Sequence, residues 1–375
     1  MYFDLTDEQQ AIKEAARGFL GRGYSSERIR ELADSDRGFE DSDWAGMAEL
    51  GWTGLALPEE YGGQGLGIVD LAVVFEEMGY ALAPSPLLSN TVAGLVLAHC
   101  GSEEQRERWL GPLAEGEVRG TPALVDAGSS GRIGEFEMEA RGDGDGTVLD
   151  GEKILVMDAD AADFLVVATA DGRRHIVERG ADGVSVAPAR SVDPTRKLYS
   201  VRFDGVRVAP GGTLPAEGPD YFPVFQRVCV AVAAELTGVA QRAMEMAVEY
   251  AKERQQFGRP IGSYQAVSHR CAQMLLETEN TRSATLYAAW TADAEPESLP
   301  LAASMAKAYA SDAGMRVADA AIQVHGGIGF TWEHDLHFFL KRATANAAMF
   351  GDPKWHREQV AGHVLAEVGE VAAVA

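Results

Sequence analysis

Val228, Val232, Leu236, Val239, Ala243, Met246 and Tyr250 recur at steps of three or four and fall on one stripe of a single helix. A stripe sustained over roughly six turns must bury itself against other helices, because its apolar face cannot stay in water. The following sequence predicts those helices. Gly258 and Pro260 end the first, and a second runs from about Tyr264 towards Asp293, where Glu295-Pro296 breaks it. A third covers about Leu301 to Val324 and ends at Gly326-Gly327; a fourth covers about His334 to Met349. Long helices with short connections predict an antiparallel four-helix bundle.

The rest of the chain divides in two by pattern. Thr6 and Asp7 cap a helix through Ile12, Ala15, Ala16 and Phe19. A loop at 62–67 interrupts the helical region, and a second apolar helix follows through Leu71, Val74, Phe75 and Met78 until Pro84 and Pro86. Short strands are then predicted at Phe164–Val167, Ile176-Val177, Val184–Ala187, Val201–Phe203 and Val206–Val208. Gly142-Asp143-Gly144-Asp145-Gly146 reads as a hairpin turn, since it lacks the spaced carboxylates of a calcium loop. The expected architecture is mainly α with a central β domain: helical over 1–113, antiparallel β over 114–217, and a helical bundle over 218–375.

Charge narrows the partners. With 57 Asp and Glu against 33 Lys and Arg, the net charge is −24, which disfavours nucleic acid and anionic membrane surfaces. The N-terminus lacks the basic start of a signal peptide, and the apolar run Val228–Ala234 is too short to span a bilayer. Cys100, Cys229 and Cys271 are widely spaced, as expected of reduced thiols in a cytoplasmic protein. His334 and His337 lie three apart without further ligands, so a surface or interface role is expected of them and no metal.

Two bundle segments exceed what packing requires. Arg254-Gln255-Gln256-Phe257-Gly258-Arg259-Pro260-Ile261 offers a guanidinium fork for a pyrophosphate, amides, and a ring for an adenine or ribose. Gln323-Val324-His325-Gly326-Gly327-Ile328-Gly329-Phe330 offers glycines that allow close backbone approach. Taken singly, each also fits an ordinary helix C-cap.

Together, Tyr250-Ala251-x-x-Arg254-x-Gln256-Phe257-Gly258-x-Pro260-Ile261-x-x-x-Gln265 and Gln323-x-x-Gly326-Gly327-x-Gly329 resemble the acyl-CoA dehydrogenase family. Leu50-Gly51-Trp52 and Pro58-Glu59-Glu60-Tyr61-Gly62-Gly63 extend the likeness to the N-terminal helices. The resemblance implies FAD, a dimer of dimers, and a helical–β–helical fold. It also implies that these segments hold the ADP half of a neighbouring subunit's FAD, through Arg254, Gln256, Phe257, Gly258, Gln323, Gly326 and Gly327.

The family removes an α-proton with a carboxylate while the β-hydrogen leaves as hydride to the flavin. Its base is usually the Glu of an aromatic-Glu-Gly-Thr stretch; here the matching stretch is Met349-Phe350-Gly351-Asp352, and Phe350 holds the base position. Asp352 is expected to cap the next helix before Pro353. Other members carry the base on the first bundle helix, near Val228 in this chain. Glu235, two turns on, is either a displaced base or a buried partner of an arginine such as Arg227, Arg242 or Arg270, and the second reading weighs more. Leu124-Val125-Asp126-Ala127-Gly128-Ser129 stands where the family has a Thr-Glu-Pro-Gly-x-Gly-Ser loop over the flavin, and Leu155-Val156-Met157 where it has Trp-Ile-Thr.

The losses fall on groups a subunit offers its own flavin ring. The resemblance therefore extends to the base-less subunit of the heterotetrameric enzymes of actinobacterial type. It implies αβ-dehydrogenation of an acyl-CoA thioester, a homologous catalytic partner, and electron transfer flavoprotein as acceptor. A self-sufficient homotetramer using Glu235, and a scaffold or CoA-ester binding subunit without flavin chemistry, are the alternatives; a monooxygenase on the same fold is more distant.

Overall fold

The computed structural model describes residues 4–129, 134–143, 146–215 and 221–374. Helices α1 (Asp7–Gly23), α2 (Ser26–Asp34), α3 (Asp41–Glu49), α4 (Ile68–Ala81), α5 (Leu87–Cys100) and α6 (Glu103–Ala114) come first. Strands β1 (Gly120–Ala123), β2 (Val125–Asp126), β3 (Ala140–Asp143), β4 (Gly146–Met157), β5 (Phe164–Ala168), β6 (Arg174–Glu178), β7 (Val184–Ala189) and β8 (Leu198–Val208) follow. Then come α7 (Phe222–Glu253), the two-residue strands β9 (Gln255–Gln256) and β10 (Arg259–Pro260), α8 (Gln265–Ala294), α9 (Leu299–His325), α10 (Leu336–Ala348) and α11 (Pro353–Val374). The helical–β–helical order is the one expected.

These elements form two compact units. One gathers residues 1–29, 68–83 and 225–375, so α1 and α4 belong with the C-terminal helices. α1 starts as the sequence predicts: the Thr6 hydroxyl accepts from the Gln9 N–H and the Gln9 side chain from the Thr6 N–H, a reciprocal capping box. The Asp293 carboxylate receives the N–H groups of Ile68 (2.8 Å) and Val69 (3.0 Å) at the start of α4. Val228, Val232, Leu236, Val239 and Ala243 are all buried. As a whole α7 is long and apolar enough to cross a membrane, but most of its apolar stretch is buried inside the protein.

Two glycines let α4 and α7 cross closely. A Cβ on Gly79 would lie 2.0 Å from the Glu235 carbonyl oxygen, and one on Gly238 would lie 1.8 Å from that of Glu76. α1 is tied to α4 by charge: Lys13 Nζ is 2.8 Å from Glu76, and the Arg17 guanidinium grips the fully buried Glu77 through Nε and Nη2.

The second unit comprises residues 30–67 and 84–224. One sheet has the order β1-β5-β6; in the other, β2-β4-β8-β7, β3 also pairs with β4. The sheets are antiparallel except for β1 beside β5, which run parallel because the intervening chain crosses over through β2–β4. β3 and β4 pair up to Asp143 opposite Gly146, as a hairpin requires; Gly144 and Asp145 lie outside the described residues. The two strands expected over 201–208 are one. Asp204-Gly205 is a bulge and not a turn: Gly205 takes φ +62, and its N–H donates to Asp150 Oδ1 at 2.7 Å across the register shift between Leu149 and Gly151.

Candidate cofactor site and the base positions

α7 ends at Glu253, earlier than Gly258 and Pro260 suggest, because the chain turns into a tight hairpin. Arg259 pairs with Gln256 and Pro260 with Gln255, and Phe257 and Gly258 at the tip have φ +54 and +80. Positive φ at both central residues is a type I′ arrangement, unusual for a phenylalanine. Gly258 is therefore a turn residue and no C-cap. The turn holds Phe257 out with 92% of its surface exposed. The Tyr264 hydroxyl donates to the Gln256 carbonyl at 3.1 Å, and the Arg259 guanidinium lies over the Tyr264 ring.

Gly326 does cap α9: its N–H donates to the carbonyls of Gln323 and Ile322, with φ 64 and ψ −137. Only glycine takes that backbone region readily. Gly329 is needed for packing, since a Cβ there would meet His325 Cβ at 2.7 Å.

The sequence places these segments far apart, and one contact joins them. The Tyr250 ring, at the end of α7, stacks on His325, at the end of α9, with centroids 4.4 Å apart and planes within 20°. His325 Nδ1 donates to the Ala321 carbonyl at 2.9 Å, and burial pushes the imidazole's pKa down, so it packs as a neutral ring. Of the pair His334 and His337, the first packs on His325 (4.4 Å) and the second between Trp332 and Phe338. Among the described residues no three metal-ligating side chains converge.

Arg254, Gln256, Phe257, Gly258, Gln323, Gly326 and Gly327 are all exposed. A Cβ at Gly258, Gly326 or Gly327 would meet nothing within 4 Å. Cation, amides, ring and open backbone thus face outward from one end of the bundle, which fits a dinucleotide's diphosphate and purine.

The base positions look different. Glu235 is 2% exposed; Arg342 Nη1 is 2.5 Å from its Oε1, and Asn346 Nδ2 donates to its Oε2 at 3.0 Å. Burial in an ion pair is the heavier of the two readings, but the partner is Arg342 and not Arg227, Arg242 or Arg270. Phe350 has φ +53 in a turn held from three sides. Its carbonyl accepts from His356 Nε2 (2.9 Å) and faces Cys229 Sγ (3.6 Å); Lys307 Nζ, fully buried, donates to the carbonyls of Gly351 (3.1 Å) and Ala347 (3.3 Å) and to Ser311. Burial pushes Lys307 down to about 8, His356 down to about 4 and the Cys229 thiol up to about 12. Asp352 caps α11 as expected, its Oδ1 receiving the Trp355 N–H at 2.7 Å.

Lys307 and Lys153 escaped the sequence reading. Lys307 left a signal, a lone lysine among Ala302, Ala303, Ala306, Ala310 and Ala313 on a helix. Lys153 pairs with Asp126 at 2.7 Å, both buried, and Asp126 also receives the N–H groups of Glu137 (2.8 Å) and Met138 (3.2 Å). The loop at Asp126 is thus fastened to its own sheet. Leu155, at φ +54, is half exposed.

The acyl-CoA dehydrogenase C-terminal domain matches residues 224–365 and the N-terminal domain residues 6–117. Acyl-CoA dehydrogenase IpdE2 of Mycolicibacterium smegmatis is 32% identical over 351 residues, 93% of this chain and 96% of that protein. The chain belongs to the acyl-CoA dehydrogenase family. It is thus one of a family of FAD-binding oxidoreductases that act on CH–CH bonds. Among solved structures, the ChsE4-ChsE5 complex of Mycobacterium tuberculosis is similar at TM-score 0.88 and 28% identity, covering 98% of this chain and 99% of that one. A variant of the Tcur3481-Tcur3483 steroid ACAD is similar at TM-score 0.87 and 30% identity, covering 97% and 99%.

Proposed function

We propose that this chain is the base-less subunit of a heteromeric acyl-CoA dehydrogenase, holding the ADP half of an FAD whose ring and catalytic base belong to a homologous subunit. The observation that carries this is the contrast between the two sets of groups. The seven residues for the nucleotide face outward and open, whereas Phe350 occupies the usual base position and Glu235 is spent on Arg342 and Asn346. In this reading Arg254 pairs with the diphosphate, Phe257 packs on the adenosine, and Gln323 with Gly326 and Gly327 lines the phosphates.

FAD, when bound, takes up the hydride leaving the β-carbon of the acyl thioester. This chain moves no proton in that step: Phe350 has no acceptor, and freeing Glu235 would strand the Arg342 charge in the core. That argues against a self-sufficient homotetramer with Glu235 as base. The likeness to a structure described as a steroid ACAD supports a CoA thioester of a steroid or its side chain as substrate. In this reading electron transfer flavoprotein, which the family resemblance implies, is the acceptor.

Expression alone and together with a glutamate-bearing paralogue tests the reading. The lone chain is expected colourless and inactive, and the complex yellow and active on a steroid side-chain CoA thioester. Arg254→Ala in this chain should then lower FAD retention by the complex. Turnover by the lone chain with FAD bound sinks the proposal, and a colourless complex favours a scaffold.

A further inference from the structure

The loop after Gly326-Gly327 carries a second aromatic group that the seven residues above do not include. Trp332 is 70% exposed and Phe330 84%, a large apolar surface to leave in water on a protein of net charge −24. The Trp332 indole is held in place: Lys341 Nζ lies 4.3 Å from its ring centroid, and the His337 ring packs at 4.6 Å with planes at 67°. The loop itself is pinned. The Thr331 hydroxyl donates to the Ile328 carbonyl at 2.8 Å, and His334 rests on His325, which is stacked on Tyr250. Trp332 and Lys341 are therefore fixed relative to the end of α7, from which Arg254 and Phe257 project.

We propose that Trp332 and Lys341 are a further nucleotide contact, the indole for the purine of the adenosine diphosphate half and the ammonium for a phosphate. The inference rests on the cofactor reading above. An exposed aromatic face stacks on a purine whatever its hydrogen-bonding edge, and a cation over that ring is placed to meet the phosphates next to it. A strongly acidic protein needs such local cations to hold a dianion, and Lys341 adds one to Arg254.

Titration of the full-length chain with ADP, read by tryptophan fluorescence and by calorimetry, tests this. ADP should quench emission in the wild type; Trp332→Phe should lose most of that quenching while binding within about threefold. Trp332→Ala should weaken ADP roughly tenfold. Lys341→Met should weaken ADP several-fold and leave adenosine unchanged. If ADP binding needs Arg254 and is indifferent to Trp332→Ala, the inference falls and the cofactor reading stands. If the wild type shows no saturable ADP binding, the assignment of Trp332 and Lys341 falls, and the cofactor reading is decided by FAD retention in the complex. Quenching by a partner subunit alone, with ADP silent, assigns Trp332 to a protein interface and overturns the proposal.

Discussion

Glu235 lies among Val232, Leu236 and Val239, where an ionised carboxylate is costly to bury unless both oxygens are compensated. Arg342 and Asn346, one turn apart on α10, compensate both. Arg342→Met should therefore cost roughly 3–5 kcal/mol in urea unfolding, since it leaves a buried charge alone. The double variant Glu235→Leu/Arg342→Met should recover most of that loss. If Glu235 were a displaced base, Arg342→Met would instead leave stability nearly intact. The sequence showed the anomaly, a carboxylate on an apolar seam, but not the partner, which lies 107 residues away and is chosen by how α10 lands on α7. Phe257 poses the converse case. Phe257→Asn suits the left-handed turn better than phenylalanine, so stability should hold or rise by up to about 1 kcal/mol. FAD retention by the complex should nonetheless drop, because the ring is lost.

At the scale of elements, α1, α4 and the four bundle helices were legible from spacing and caps. By contrast, α2, α3, α5 and α6 were not singled out, and α7 ends before the glycine and proline expected to stop it. One glycine misled, and two others gave no sign of their role. Gly205 reads as a turn between strands because Asp-Gly is a turn signal, yet its left-handed residue serves a bulge inside one strand. Gly79 and Gly238 sit inside helical patterns with no local role, and their reason is visible only where α4 crosses α7. A methyl at Gly238 must displace the Glu76 carbonyl, so Gly238→Ala should destabilise the fold by roughly 1–3 kcal/mol or more and lower the melting temperature accordingly. Gly21→Ala in α1, where an added Cβ meets nothing within 4 Å, should raise stability by about 0.5–1 kcal/mol. Thermal melts of both variants check the contrast. The nucleotide segments were legible as motifs; their meeting through Tyr250 and His325 was not, since stacking between two helix ends leaves no periodic trace.

For the molecule as a whole, each unit carries a buried histidine held neutral. His175 has both ring nitrogens within hydrogen-bond reach of threonine hydroxyls (Thr169 at 3.1 Å, Thr213 at 3.0 Å), and burial pushes it down to about 4, as it does His356. An unfolded chain binds protons at these rings from about pH 6.5 downward, while the folded chain resists until about pH 4. Stability is thus complete above pH 6.5 and lost as pH falls towards 4, by on the order of 3 kcal/mol per histidine. Urea midpoints across this window should fall for the wild type, and the slope should flatten in His175→Gln.

The unit built from residues 1–29, 68–83 and 225–375 is discontinuous, and its late helices complete it. On the ribosome, α4 emerges with buried-to-be residues Ile68, Leu71, Val74, Phe75 and Met78; α1 packs on α4, but its other neighbours, α7 and α8, are not yet made. The other unit has all its residues by position 224 and is free to fold first. At ordinary elongation rates of about 5–20 residues per second, α1 and α4 wait roughly 8–30 s for α7, the first of the helices that complete their core. During synthesis that interval leaves α4 the chain's natural client segment for a chaperone.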